Sequence, residues 1–206
     1  MSEYKQKIQE FMISDIEGKK DLTILEFGVR EGTSTKLFLN HCEKNGGKVY
    51  SVDMDDYSHI ANSPNWKFIN SRDDNFTYVE KFLPEKFDLI YLDSFHNADH
   101  IEKIFYYYFK KLKKNCYFYF DDICWLPYLK GKDRDSFNCE INNKETFTRL
   151  VEILNNNKNI LNLYFSFVSS GMAKFLKKEE TDLNKPKKIN SREISLKNII
   201  RKIIKK

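Results

Sequence analysis

Residues 22–34 read LTILEFGVREGTS. The opening residues are apolar or β-branched apart from Glu26, the composition of a buried strand. Gly28 then permits a sharp turn, and Gly32 lets a helix begin close to whatever lies beyond the strand end. A strand, a glycine turn and a helix form the opening unit of an α/β sheet, and the chain goes on repeating it. KVYSVDM (48–54), WKFIN (66–70), FDLIYLD (87–93) and CYFYFDD (116–122) read as further strands. LYFSFVS (163–169) and MAKFLKK (172–178) flank Ser170 and Gly171 and predict a hairpin. Helices are expected over 4–17, 33–44, 98–114 and 143–156. In 98–114, Ile101, Ile104, Phe105, Tyr108 and Leu112 recur at spacings of three and four. Strands alternating with crossover helices imply a doubly wound, mostly parallel sheet covered on both faces. Residues 123–142 are expected to form a long binding loop, and the Lys-rich residues 179–193 a polar linker.

The 206 residues are 41% hydrophobic and 32% charged, enough for one domain over 1–178 with a sizeable core. No apolar run approaches the ~18 residues of a membrane span. The charged N-terminal stretch MSEYKQKIQEFMISDIEGKK lacks the apolar segment of a secretory leader, so a cytoplasmic location is expected. The net charge is +5, but residues 174–206 hold 12 Lys and Arg against 4 Asp and Glu. The body therefore carries slightly more negative than positive charge, which argues against nucleic acid as a partner. Cys42, Cys116, Cys124 and Cys139 include no C-x-x-C pair and read as thiols of a reducing compartment.

In an open parallel sheet, ligands sit beyond the carboxyl ends of the strands. Polar or acidic groups occupy five of those ends: Glu26 to Ser34, Asp53, Asn70 to Asp73, Asp93 to His96, and Asp121 with Asp122. Asp53 can accept both hydroxyls of a ribose, and Ser71 to Asp73 suit an adenine edge. A dinucleotide would want G-x-G-x-x-G, so that bare backbone touches the pyrophosphate. Here Arg30 stands at the second glycine position, between Glu26 and Glu31. A cationic ligand without phosphate fits better. S-adenosylmethionine (SAM) has a sulfonium and an ammonium that Glu26 can attract, and a ribose for Asp53.

Glu26-x-Gly28-x-x-x-Gly32, Asp53 and the Asp93 and Asp121 strand ends resemble a class I SAM-dependent methyltransferase over about residues 20–178. The resemblance implies a Rossmann-like seven-stranded sheet of order 3-2-1-4-5-7-6. It also implies that Glu26, Gly28, Gly32 and Asp53 contact the cofactor, with Ser71 and Asp73 near the adenine. A narrower similarity is to sugar and macrolide-sugar O-methyltransferases. These end their fourth strand in D-x-x-H, matched by Asp93 and His96, and their fifth in paired acids, matched by Asp121 and Asp122. In that subgroup the acids bind Mg²⁺ and the histidine is the base. Ser94, where a glycine is usual, and Lys114-Asn115-Cys116, where two glycines are common, depart from the pattern.

The chemistry is consistent with that resemblance. A sugar or polyol hydroxyl is a poor nucleophile near neutral pH, and a divalent cation lowers its pKa. Asp93, Asp121 and Asp122 offer hard oxygen ligands, and His96 can take the proton. Asp99 and His100 compete for that role, and a metal-free version in which Asp93 or Asp122 orients the hydroxyl stands beside it. Trp125, Tyr128 and Arg134 of the long loop are candidates to bind the acceptor. The tail over 194–206 places Leu196, Ile199, Ile200, Ile203 and Ile204 on one side of a helix and Lys or Arg on the other. That pattern reads as a contact with the inner membrane face, with docking on the body or a homo-oligomer contact as alternatives. The rival functions are a non-catalytic methyltransferase-like module at a membrane assembly and, more weakly, an NAD-dependent oxidoreductase.

Overall fold

The computed structural model describes residues 3–125, 137–190 and 195–204, with the side chains of residues 137, 138, 198 and 202 outside the description. Helix α1 (Glu3–Phe11) leads into strand β1 (Leu22–Phe27), helix α2 (Thr33–Asn45) and strand β2 (Gly47–Asp53). Strand β3 (Trp66–Asn70), the short helix α3 (Phe76–Val79), strand β4 (Phe87–Leu92) and helix α4 (Ala98–Tyr108) follow. Strand β5 (Leu112–Asp121), helix α5 (Phe137–Asn156), strands β6 (Leu161–Ser166) and β7 (Met172–Lys177) and helix α6 (Leu196–Ile204) complete the chain. The sheet order is β3-β2-β1-β4-β5-β7-β6. The first five strands are parallel, and β7 is antiparallel to both β5 and β6. This is the Rossmann-like order that the resemblance implied.

Alternation along the strands divides the core in two. Leu25, Phe27, Ile90, Leu92 and Phe120 face α4 and α5. Ile24, Leu89, Tyr91 and Tyr119 face the other way, onto Ile8 of α1, the adjoining Met12, and Phe38 and Cys42 of α2. Both faces are covered, which is why β1 and β4 carry almost no polar residues.

Several elements differ from those expected, among them the helix over 4–17, which ends at Phe11 and is followed by a 3-10 turn at Ile13–Asp15. The helix expected over 98–114 stops at Tyr108, passes through a 3-10 turn and gives up Leu112 to β5, where it pairs with Phe87. Leu112 is buried as the helical spacing required, but as the first residue of a strand. Asn115, at φ 62°, then absorbs the register shift between β4 and β5, a conformation Asn tolerates. The expected loop over 123–142 is helical from Phe137 onward. Its first turns expose Cys139 and Ile141, so they show no apolar stripe. The linker expected after β7 is seated on α5. The Asn184 backbone exchanges hydrogen bonds with the Asn157 side chain (2.7 and 2.9 Å), and Lys187 N donates to Glu152 O (3.0 Å).

Phe105 is the hub of the α4 face, with ring centroids 5.0 Å from Phe118, 5.3 Å from Phe120 and 5.1 Å from Phe175. Its truncation removes a fully buried ring that two strands, β5 and β7, pack against. Urea unfolding of Phe105→Ala is expected to show a loss of about 3–5 kcal/mol; a loss below about 1 kcal/mol contradicts this packing.

Candidate active site

The turn after β1 is built from beneath. Glu26 is fully buried, and its oxygens accept from Ser34 Oγ (2.5 Å), Thr35 Oγ1 (2.7 Å) and Ser51 Oγ (2.6 Å). Three hydroxyls from α2 and β2 thus tie the helix start and two strands to one carboxyl group. Burial outweighs these bonds and pushes the Glu26 carboxyl up to about 7. Glu26 lies beneath the two cavities described below and supports the turn. Above it, Gly28 adopts φ +91°, and a Cβ added there would lie 2.0 Å from the Asp93 carbonyl oxygen. Gly32, at φ +71°, leaves the same kind of gap for Ile60.

Two cavities open at the carboxyl ends of the parallel strands. The first, of about 460 Å³, is lined by Asp53, Ser71, Asp73, Tyr57, Met54 and Phe95, among others. Asp53 Oδ2 accepts from Val29 N (2.7 Å) and Arg30 N (3.4 Å), and Oδ1 accepts from Asp55 N (3.0 Å). The glycine turn therefore orients the Asp53 carboxylate while leaving lone pairs toward the cavity. Asp73 Oδ2 accepts from Ser94 Oγ (2.5 Å) and lies 2.9 Å from His100 Nε2. His100, the competing base of the sequence reading, is thus engaged with Asp73. Tyr57, Met54 and Phe95 were missed as apolar walls. Phe95 lies inside the Asp93-to-His96 motif and is 64% exposed, a signal available only once its exposure is known.

The second cavity, of about 570 Å³, is lined by Tyr4, Glu31, His96, Asp121, Asp122 and Ser170, among others. Gly28, Arg30, Asp93 and Ser94 line both cavities, so the two are halves of one cleft. His96 Nε2 sits 3.6 Å from Asp93 Oδ1 and 3.4 Å from Asp122 Oδ2. Asp122 holds this position at φ 54°, a left-handed conformation that turns the chain sharply at the strand end. Asp93 Oδ2 accepts from Tyr4 Oη (2.7 Å) and lies 3.0 Å from Tyr91 Oη, which also lies 2.9 Å from Asp121 Oδ2. Burial first, and then the charges of Asp121 and Asp122, hold the Asp93 carboxyl well above the ordinary range.

The three expected metal ligands, Asp93, Asp121 and Asp122, all line the second cavity. Asp121 is 1% exposed and bonded to Lys7 Nζ of α1, a residue the sequence reading did not single out. Among the described residues, no group of three or more His, Cys, Asp or Glu side chains is arranged to hold a metal ion. Of the candidate acceptor residues, Trp125 packs edge-on against Phe147 of α5 (5.9 Å) and lines neither cavity. Tyr128 and Arg134 lie outside the described residues.

No curated protein matches the chain. Residues 25–123 match the family model described as a methyltransferase domain. Among solved structures, the MycE methyltransferase of the mycinamycin biosynthetic pathway, in complex with Mg, SAH and mycinamycin VI, has a TM-score of 0.58 at 18% identity. The match covers 89% of this chain and 50% of that one, so the chain spans about half the length of MycE. SAH-bound PaMTH1 of Podospora anserina has a TM-score of 0.65 at 16% identity, covering 82% of this chain and 77% of that one. The O-methyltransferase TomG of Streptomyces achromogenes, in complex with SAM, has a TM-score of 0.56 at 14% identity, covering 78% of this chain and 74% of that one. Residues 25–123 are thus similar to a methyltransferase domain, and the fold is that of class I SAM-dependent methyltransferases. The resemblance to that fold family, expected from the sequence, is borne out.

The buried Glu26 carboxyl has a measurable signature. Its folded value of about 7 lies above the ordinary 4.5, so its stabilising contribution is complete below pH 4.5 and lost as pH rises through about 7. Glu26→Gln has no proton to lose. The difference in unfolding free energy between wild type and Glu26→Gln is expected to fall by about 3 kcal/mol from pH 4.5 to pH 8. A difference independent of pH contradicts the buried, proton-holding Glu26.

Proposed function

We propose that the chain is a SAM-dependent O-methyltransferase whose acceptor is a hydroxyl of a sugar or other small polyol. The observation that carries this reading is the divided cleft. One half presents Asp53, Ser71 and Asp73, and the other presents His96 between Asp93 and Asp122. The cofactor suits the first half. The cavity has the size usual for small-molecule sites, its rim is acidic, and Arg30 and Glu31 replace the bare backbone that a pyrophosphate would need. MycE, with its macrolide ligand, and TomG support a small-molecule acceptor.

When bound, SAM supplies a methyl group on a positively charged sulfur, which keeps the carbon–sulfur electron pair and leaves as a neutral thioether. The chain provides the remainder. Asp53 holds the ribose end, and Gly28 with the Asp93 backbone forms the floor where the two halves meet. The acceptor hydroxyl enters the second half, and its proton passes to His96 Nε2 as the new carbon–oxygen bond forms. The imidazolium is then held by Asp93 Oδ1 on one side and Asp122 Oδ2 on the other. Acidic walls also favour a cationic donor over its neutral product, which assists exchange.

Two substitutions separate the halves. By isothermal titration, Asp53→Ala is expected to weaken SAM binding by about tenfold or more, the worth of a charge-assisted hydrogen bond. His96→Ala is expected to keep SAM affinity while lowering methyl transfer about 10²–10⁴-fold. Binding of NAD in place of SAM, or full transfer by His96→Ala, contradicts the reading.

We further propose that α6 seats the protein on an anionic lipid surface. Leu196, Ile199, Ile200, Ile203 and Ile204 are exposed along one side of the helix, while Lys197 and Arg201 provide positive charge. No helix among the described residues is long and apolar enough to cross a membrane, so the contact is peripheral. Full-length protein is expected to sediment with phosphatidylglycerol vesicles and not with neutral ones, and a chain stopped at Asn190 with neither. Equal sedimentation of both proteins refutes this.

A further inference from the structure

At the ends of β4 and β5 three carboxylates meet in one hollow, yet Asp121 is already engaged by protein donors. Asp121 Oδ1 is bonded to Lys7 Nζ and accepts from Asp122 N (2.8 Å) and Ser170 Oγ (3.4 Å), while Oδ2 accepts from Tyr91 Oη (2.9 Å). A carboxylate offers about two lone-pair directions on each oxygen, so the three donors fill Oδ1 and Tyr91 takes one direction of Oδ2, which leaves at most one for a metal ion. Lys7 is itself buried at 1% exposure, with its Nζ donating also to Ser170 Oγ (2.7 Å). One turn earlier on α1, Tyr4 covers it: the ammonium lies 4.7 Å from the ring centroid, and Tyr4 Oη donates to Asp93. Residues spaced by three share a helix face, so α1 delivers both groups to the cleft together, with Ile8 and Met12 anchoring the helix on the sheet behind them.

We propose that Lys7 is the resident cation of this centre, a positioning residue whose ammonium replaces a divalent ion and makes methyl transfer metal-independent. The inference rests on the function proposed above and deepens it. A buried carboxylate left unpaired is costly, and Lys7 removes that cost for Asp121. With Asp121 neutralised, Tyr91 bridges it to Asp93, so the position of Asp93 is set through a chain that begins at Lys7. Asp93 Oδ1 and Asp122 Oδ2 are then left facing His96 as the pair that stabilises its charged form. Lys7 touches neither the donor half of the cleft nor His96, and it acts through Asp121.

The test uses the full-length chain and a readout independent of turnover. Protein stripped with EDTA is titrated with Mn²⁺ and followed by electron paramagnetic resonance, alongside Lys7→Ala, with SAM affinity as the check that the variant is folded. The wild type is expected to leave Mn²⁺ free and to keep its turnover in EDTA within about twofold. Lys7→Ala, with Asp121 uncovered, is expected to bind Mn²⁺ and to lose about tenfold or more of its turnover, partly recovered on adding Mn²⁺. Mn²⁺ bound by the wild type and released in Asp122→Asn, turnover abolished by EDTA, or full turnover of Lys7→Ala in EDTA overturns the proposal. If Lys7→Ala does not fold, the wild-type titration decides the matter alone. Failure of the wild type to bind SAM strikes at the proposed function instead, and the Mn²⁺ titration still reads the role of Lys7.

Discussion

The ends of β1 and β4 meet at a point where no side chain fits. Gly28 sits against the carbonyl of Asp93 so closely that a methyl group there would overlap it, and its φ of +91° suits glycine alone. The backbone bonds on either side, Gly28 N to Val52 O (2.9 Å) and Asp93 N to Phe27 O (2.8 Å), carry the sheet up to this seam. Beyond it the chain diverges, and the cleft opens with the seam as its floor. Because Gly28 and Asp93 line both cavities, a group bound in one half faces a group bound in the other across only this backbone. Methyl transfer needs that relation, with a donor carbon and an acceptor oxygen held in line and close.

Electrostatics divide the cleft as sharply as shape does. Glu26, Asp53, Asp73, Asp93, Asp121 and Asp122 lie at or beneath it, and each is handled differently. Glu26 is sealed among three hydroxyls and holds its proton near neutral pH. Asp73 is engaged by Ser94 and His100, and Asp121 by Lys7. Asp53 and Asp122 keep accessible oxygens, and Asp93 divides its own between two tyrosines and His96. The carboxylates that remain available are Asp53 in one half of the cleft and the pair around the imidazole in the other, and the proposed function gives binding to the first and proton transfer to the second.

Much of this arrangement was legible in the sequence. Strand ends can be read because the runs that precede them are apolar, so Asp53, Asp93 and Asp122 were placed correctly from pattern alone. Glu26 was not. Its position in a strand was clear, but its surroundings depend on Ser34, Thr35 and Ser51 converging from two other elements, which no local pattern records. Lys7 lies 114 residues from Asp121, and that partnership exists only once α1 has docked. A faint signal was present: Tyr4, Lys7, Ile8 and Met12 follow the spacing of a buried face, and a lysine on such a face requires a buried partner. Leu112 shows the opposite limit, since its burial was predicted correctly while its element was not. Periodicity reports which side of the chain is dry and leaves open whether the next residue continues a helix or starts a strand.

The proposed methyl transfer requires the two halves of the cleft to be one site. A crystal structure of the chain soaked with S-adenosylhomocysteine tests that most directly. The ribose hydroxyls are expected on Asp53, with the sulfur at the Gly28–Asp93 seam facing His96. A nucleoside bound away from Asp53, or a sulfur turned from the second cavity, contradicts it.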